Sequence, residues 1–419
     1  MSDLLQRVTE IARTAKKASR ALALAPTAVR DAALRAAAQA LRADEAAILE
    51  ANAKDLAAAK AKGLTDAMTD RLRLDHARLE DIAVACEAVA KLPDPVGEVT
   101  EDWTRPNGLR IIRRRVPIGL VAIIFESRPN VTVDAAALCL KSGNGCVLRG
   151  GSEAIHTNIA LSKSFATGLR AAGLPAEAVT LLPFTDREAV PALGSLRGIV
   201  DIIVPRGGPG LIEAVVNSAK VPVIKHDAGI CHVYVHAQAD LAMAEQIVLN
   251  AKCQRPSACN ALETLLVDAA VAQKFLPQMA AALSAKQTEV RACAQSRPLM
   301  PGAKAATEQD FRTEHLGLIL NVKIVAGLTE AVAHVEDYGS HHSDAIITAD
   351  ESAARAFLAQ IDSACVYWNA STRFTDGGEF GFGAEVGIST DRLHARGPMG
   401  IRELTTWKFE IVGQGQVRG

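Results

Sequence analysis

The sequence of 419 residues has few aromatic side chains, which make up 4% of it, and no excess of charge of either sign. Lysine and arginine number 46 against 47 aspartates and glutamates, so the basic surplus typical of nucleic-acid-binding proteins is missing. No run of about 18 apolar residues appears that would span a membrane. The first 20 residues mix acids and bases and do not form a secretory signal. We therefore expect a cytoplasmic protein with neither a nucleic-acid nor a membrane partner.

Cysteine is present but in no pattern of a disulfide scaffold or a zinc ribbon. The eight cysteines are scattered over the chain, none forms Cys-x-x-Cys, and the closest pairs are Cys139/Cys146 and Cys253/Cys259. We predict reduced thiols and no metal site.

The apolar pattern changes along the chain. Residues 4–92 show helical spacing, whereas from residue 119 onward short aliphatic runs alternate with amphipathic stretches. The first series of predicted strands is 120–125, 146–148, 179–182, 199–204 and 222–224, and the second is 230–235, 262–267, 318–325, 345–348 and 365–368. Such alternation predicts two doubly wound parallel-sheet α/β domains, whose ligands bind beyond the carboxyl ends of the strands.

Two further strands lie outside this rhythm, at 108–116 and 407–412. The predicted domains are 1–99 with 118–228 for the cofactor, 229–372 for catalysis, a loop region 373–402 returning to the cleft, and a small β-appendage of 100–117 with 403–419 for oligomerisation.

Glycine-rich turns are present, but the dinucleotide fingerprint Gly-x-Gly-x-x-Gly is not. The segment Pro205–Gly210 follows a predicted strand and precedes a helix, so its N–H groups fit a phosphate, although an ordinary tight turn fits equally well.

A thiol among small and polar residues marks a second segment, Gln254–Asn260. Cys259 could act as a nucleophile if Lys252 and Arg255 make its surroundings positive, whereas an inert buried thiol is the alternative. Together with His226 it could also form a cofactor-free cysteine hydrolase.

Several strings carry a family resemblance over essentially the full length. They are Val116–Val121, Phe125–Thr132, Lys141–Asn144, Leu148–Gly151, Pro205–Gly208, Gln254–Pro256 with Cys259–Asn260, and His394–Met399. On these strings the chain resembles the gamma-glutamyl phosphate reductases of the aldehyde dehydrogenase superfamily.

The resemblance implies reduction of the acyl phosphate L-glutamyl 5-phosphate to L-glutamate 5-semialdehyde by NADPH, through a thioester on Cys259. It implies an oxyanion hole made by the amide of Asn130 and the backbone N–H of Cys259. It also implies a homo-oligomer, and it allows direct transfer of the substrate from a glutamate 5-kinase.

The resemblance also assigns roles to further residues, most of them within the matching strings. The cofactor-binding set is Arg149, Gly150, Arg206, Gly207, Gly208 and Glu314. The substrate-binding set is Arg128, His226, Arg255, Arg373 and Arg396, because the phosphate and the α-carboxylate both require cations.

His226 stands where aldehyde-oxidising relatives carry a glutamate that activates water. A thioester that must wait for hydride is better kept away from such a base. A hydrolytic semialdehyde dehydrogenase and a noncatalytic assembly protein remain as alternative functions.

Overall fold

The computed structural model describes residues 3–225 and 228–418. Its helices are α1 (Asp3–Leu24), α2 (Thr27–Ala43), α3 (Glu45–Ala61), α4 (Asp66–Leu72), α5 (His76–Lys91), α6 (Val131–Lys141), α7 (Ile155–Ala171), α8 (Ala189–Ser195), α9 (Pro209–Ser218), α10 (Leu241–Cys253), α11 (Ala269–Ala285), α12 (Glu308–Phe311), α13 (Leu328–Tyr338) and α14 (Glu351–Gln360). Short 3₁₀ turns cover Ser152–Ala154, Ala176–Ala178, Arg297–Leu299 and Thr372–Phe374. No helix among the described residues is long and apolar enough to cross a membrane.

The strands are β1 (Val99–Thr104), β2 (Arg110–Pro117), β3 (Leu120–Phe125), β4 (Gly145–Arg149), β5 (Val179–Leu181), β6 (Ile202–Arg206), β7 (Cys231–Val235), β8 (Leu262–Asp268), β9 (Glu289–Ala292), β10 (Lys304–Ala305), β11 (Ile319–Val325), β12 (Ser343–Ile347), β13 (Cys365–Trp368), β14 (Ile388–Ser389), β15 (Gly397–Pro398) and β16 (Thr405–Val412). They divide between two compact units, Met1–Lys225 with Gly381–Gly387 and Met399–Gly419, and His226–Phe380 with Ile388–Pro398.

The first unit is built on a parallel sheet of order β5-β4-β3-β6. Its central strand β3 is buried over its whole length, as the unbroken aliphatic sequence predicts for a sheet covered on both faces. The alanine-rich helix α2 buries Ala33, Leu34, Ala37, Ala38 and Leu41 against α5 and α7. This spacing of three and four residues explains why a chain rich in alanine can pack its helices closely.

The first unit also carries a three-stranded antiparallel sheet of order β1-β2-β16. The apolar side chains of Phe409, Ile411 and Val412 on β16 are exposed. The appended strands predicted from the sequence are therefore present, and β1 joins them.

The second unit is a seven-stranded parallel sheet of order β10-β9-β11-β8-β7-β12-β13. Leu265, Phe275 and Met279 lie in its main core, which α10 and α11 cover on one face. The predicted α/β class with doubly wound parallel sheets is thus confirmed.

Two expectations about strands are wrong. Residues 222–224 make only a bridge from Val223 to Ile203, beside Pro222, which has no N–H to donate to a ladder. The pattern also misses the edge strand β10 and its neighbour β9, because both are short and show no aliphatic run.

Candidate active site

In the first unit, the predicted cofactor residues share the carboxyl edge of the parallel sheet. Ile124 of β3 pairs with Arg149, the last residue of β4, and Phe125 pairs with Arg206, the last residue of β6. The sheet register therefore places Arg149 and Arg206 at one edge, where open α/β sheets bind their ligands.

The N-terminus of α9 follows Arg206 at this edge. Gly208 caps the helix, and its N–H donates to the carboxylate of Glu126 at 2.9 Å. A Cβ on Gly207 would lie 2.5 Å from the same carboxylate oxygen. The start of α9 thus binds the carboxylate of Glu126, in a space that stays open because residue 207 is glycine. A phosphate group of a cofactor has the charge and the acceptor oxygens to bind at the same place.

Arg149 is almost buried, at 7% exposure. One of its terminal nitrogens donates to the backbone oxygens of Thr185 and Asp186, at 3.0 and 3.4 Å. Burial lowers the pKa of Arg149, and the nearby Glu153 opposes this change. At Gly150, which follows, a Cβ would lie 2.2 Å from an Asn158 side-chain nitrogen, so this glycine serves close packing.

The turn after β3 carries the predicted Arg128 and Asn130. Ser127 has a φ of 38°, in the left-handed region, and both its N–H and its hydroxyl donate to Glu153, at 2.5 and 2.7 Å. Arg128, the next residue, is exposed.

Asn130 directly precedes α6 and is half-buried. Its side-chain nitrogen donates to Asp134 at 2.7 Å. Burial raises the pKa of Asp134 to about 6, against the opposing effect of this hydrogen bond. The amide predicted for an oxyanion hole is therefore oriented by the half-buried carboxyl group of Asp134.

In the second unit, Cys259 lies half-buried in the turn between α10 and β8. This turn is at the amino end of the parallel strands, not at the carboxyl end expected from the sheet type. The Cys231 thiol, at the start of β7, donates to the Cys259 carbonyl at 3.3 Å. A Cβ on Gly229 would lie 1.9 Å from that carbonyl oxygen, so no other residue fits without moving Cys259.

Glu314 also lies close to the turn that carries Cys259. The N–H of Gly229 donates to its carboxylate, and burial raises the pKa of Glu314 against this hydrogen bond. Glu314 thus contacts the residue that packs on the Cys259 backbone.

Lys252 is fully buried and pairs with Glu263 at 2.9 Å. Burial lowers the pKa of Lys252 and raises that of Glu263 to about 7, and each partner opposes the other's shift. The expectation that Lys252 makes the surroundings of Cys259 positive is therefore wrong, because Glu263 balances its charge.

Arg373 is the cation that lies next to the segment Gln254–Asn260, which contains Cys259. Its guanidinium donates to the side chain of Asn260 and, at 2.8 Å, to Gln254. Burial lowers the pKa of Arg373, the neighbouring Arg255 adds to this effect, and Cys259 opposes it. Arg255 itself is exposed.

The remaining predicted residues lie elsewhere. Arg396 donates to the carboxylate and the backbone oxygen of Asp362, at 2.6 and 2.7 Å, and it shares this carboxylate with Arg392. His226 lies outside the described residues. The Cys253 thiol contacts Thr288 at 3.5 Å.

The sequence reasoning missed the residues that hold the two sites in place, namely Glu126, Glu153, Asp134, Gly229, Cys231 and Asn260. For Glu126 and Asn260, their position within the matching strings is the one sequence feature that indicates a role in the site. The contacts of Gly229 and Cys231 with Cys259 span about 30 residues of chain and leave no periodic pattern.

Comparisons with known proteins place the chain in a family. The model of the aldehyde dehydrogenase family matches residues 5–299. The gamma-glutamyl phosphate reductase of Moorella thermoacetica is 55% identical over 404 residues, which cover 96% of this chain and 97% of that protein. The crystal structure of gamma-glutamyl phosphate reductase from Thermotoga maritima superposes with a TM-score of 0.97 at 45% identity, covering 100% of both chains.

A more distant structure shares the fold alone. The glyceraldehyde-3-phosphate dehydrogenase of Methanocaldococcus jannaschii, solved in complex with NADP, gives a TM-score of 0.68 at 18% identity and covers 98% of this chain and 95% of its own. The resemblance stated from the sequence strings is confirmed. The chain belongs to the aldehyde dehydrogenase family and, within it, to the gamma-glutamyl phosphate reductases.

Proposed function

We propose that this protein reduces L-glutamyl 5-phosphate to L-glutamate 5-semialdehyde with release of phosphate, in proline biosynthesis, with NADPH as the reductant and Cys259 as the nucleophile. The observation that carries the proposal is the fixed backbone of Cys259, held by the Cys231 thiol and by close packing of Gly229. The 55% identity with a gamma-glutamyl phosphate reductase supports the substrate and the reaction.

The first step is acyl transfer to the enzyme. The Cys259 thiolate forms a bond with the acyl carbon, and the bond from that carbon to the phosphate oxygen breaks. Phosphate takes the electron pair and leaves as a stable anion, so this step requires no strong general acid. The product is a thioester on Cys259.

The amide of Asn130 and the backbone N–H of Cys259 stabilise the oxyanion of the tetrahedral intermediate. The hydrogen bond from Asn130 to Asp134 at 2.7 Å holds the amide in one orientation. Loss of one such donor typically lowers the rate by about 10²- to 10³-fold.

The second step is reduction. A bound nicotinamide would supply the hydride for this step. The residues proposed to hold the cofactor are Gly207 and Gly208 at the start of α9, with Arg149 and Arg206 at the same sheet edge and Gly150 and Glu314 as further contacts. Once the thioester carbon had been reduced, its bond to the Cys259 sulfur would break, which would return Cys259 as the thiolate and release the semialdehyde.

NADPH is the form of the cofactor that we propose, because two arginines lie at this edge and a 2′-phosphate requires a positive environment. The substrate anions are assigned to Arg128 and Arg255, which are both exposed. His226 and Arg396 complete the proposed substrate-binding set, and Arg396 shares the carboxylate of Asp362 with Arg392.

The strands β1, β2 and β16 are proposed to form a homo-oligomer, because they expose Phe409, Ile411 and Val412. A cytoplasmic location suits a nucleophile that must stay a reduced thiol. Direct transfer of the substrate from a glutamate 5-kinase would protect the labile acyl phosphate.

The test is a Cys259→Ser variant beside a Cys253→Ser control. In the reverse direction, wild type and Cys253→Ser should oxidise glutamate 5-semialdehyde with NADP⁺ only when phosphate is present, whereas Cys259→Ser should bind NADPH and show no turnover. Turnover by Cys259→Ser would refute the nucleophile. Activity without phosphate would favour a hydrolytic dehydrogenase, and absence of any thermal stabilisation by NADPH would favour a cofactor-free hydrolase.

A further inference from the structure

The side chain of Asn260, the residue after Cys259, connects two loops that are distant in the sequence. Asn260 is 4% exposed, and its side-chain nitrogen donates to the backbone oxygens of Arg373 and Thr375, at 3.3 and 2.9 Å. In return, the hydroxyl of Thr372 donates to the backbone oxygen of Asn260 at 2.7 Å. The loop around residue 373 is therefore anchored on the residue that follows Cys259.

The same contacts orient the guanidinium of Arg373. It donates through a terminal nitrogen to the side-chain oxygen of Asn260 and through Nε to Gln254. Both partners are neutral amide oxygens, in contrast to the carboxylate that holds Arg396. These two contacts fix the position of Arg373 without pairing its guanidinium with a carboxylate.

A cation at this position matters because acidic groups surround the thiol that contacts the Cys259 backbone. The pKa of this buried Cys231 thiol is raised by burial first and then by Asp344, Cys259 itself, Glu263 and Glu314. The pKa of Arg373 is lowered first by burial and then by Arg255, and Cys259 and Asp376 oppose this change, so Arg373 lies within electrostatic range of Cys259. An ordinary cysteine is only a few per cent thiolate at pH 7, so the attacking form requires a nearby positive charge.

We propose that Arg373 is the residue that stabilises the Cys259 thiolate, and that Asn260 is the positioning residue that holds Arg373 there. The inference rests on the proposed function, in which Cys259 is the nucleophile. It replaces the role of substrate binding that the sequence resemblance suggests for Arg373.

The experiment measures the alkylation rate of Cys259 by iodoacetamide against pH, without substrate or cofactor, by mass spectrometry of the peptide that contains Cys259. In Arg373→Gln, the midpoint of the pH profile should rise by about one unit, which leaves about tenfold less thiolate at pH 7. Arg373→Lys should retain most of the wild-type midpoint because it keeps the charge. Arg355→Gln, an exposed arginine on α14, is the control that should not change it.

Asn260→Asp is the matched test of the positioning role. The new carboxylate would pair with Arg373 and cancel its charge, and it could no longer donate to the backbone oxygens of Arg373 and Thr375. The midpoint should therefore again rise by about one unit. This variant also keeps the proposal testable if Arg373→Gln does not fold. Unfolding temperatures near wild type are the check on folding for every variant.

A midpoint unchanged in both Arg373→Gln and Asn260→Asp would overturn the inference. If the KM for the acyl phosphate then rose while alkylation stayed the same, Arg373 would be a substrate-binding residue. These outcomes are distinct from failure of the proposed function, which turnover by Cys259→Ser would show.

Discussion

The carboxylate of Glu126 accepts a hydrogen bond from the backbone N–H of Gly208, at the start of α9. It occupies the place where a phosphate group of the cofactor is proposed to bind. The protein therefore carries its own anion at this helix end, and the cofactor has to replace it.

Removal of this charge should tighten cofactor binding. In Glu126→Gln the side chain can still accept the N–H of Gly208, but it no longer repels a phosphate. We expect the Kd for NADPH to fall by about two- to fivefold, as measured by fluorescence titration. Glu213→Gln, on the exposed face of the same helix, removes an equal charge and should change the Kd little. Weaker binding by Glu126→Gln would mean that the carboxylate contacts the cofactor directly.

Gly229 should be intolerant of any side chain. In Gly229→Ala the new Cβ would meet the Cys259 carbonyl oxygen at 1.9 Å, so the nucleophile must shift. A displacement near 1 Å typically lowers the rate by about 10²-fold, and we expect a loss in kcat of that size in the folded variant, together with a lower unfolding temperature because backbone atoms must move. Gly317→Ala in the same unit, where the nearest atom is 3.6 Å away, is the control. Wild-type kcat in Gly229→Ala would contradict this account.

The buried pair of Lys252 and Glu263 should be sensitive to loss of one partner only. Glu263→Leu leaves an unpaired buried ammonium and should reduce the free energy of unfolding by about 3–5 kcal/mol. The double variant Lys252→Met with Glu263→Leu removes both charges and should recover most of that loss. Chemical denaturation of the three proteins checks this, and a double variant no more stable than the single one would be evidence against it.

Asp134 should make stability depend on pH. Its pKa is raised to about 6 in the folded protein, above the ordinary value of about 3.9, so the folded state binds the proton more tightly. The contribution of Asp134 to stability is fully present below pH 4 and is lost as the pH rises through 6, by about 3 kcal/mol at most.

The variant Asp134→Asn cannot ionise and therefore escapes this loss. Thermal unfolding between pH 4 and pH 8 should show the variant gaining stability relative to wild type as the pH rises. A constant difference across this range would show that Asp134 does not titrate as described.

Local patterns were sufficient for most of the aliphatic parallel strands, whereas Cys259 was singled out as the nucleophile by the resemblance. The strand at 365–368 lies where the sequence predicts it, because an aliphatic or aromatic run between polar turns is a local property. The contact of Asn260 with Thr375 is different, since it joins residues 115 positions apart and depends on how the loops close. Likewise, nothing in the sequence around Lys252 indicates that its ammonium is buried against Glu263.

The first unit is made of three separate stretches of chain, and its last strand, β16, pairs with β2 across almost 300 residues. During synthesis, β2 leaves the ribosome long before its partner exists. The second unit has all its residues once position 398 has been made, so it can complete its fold first. Until residues 405–412 emerge, one edge of β2 has no strand beside it, and the nascent protein carries an open edge to which other chains could add.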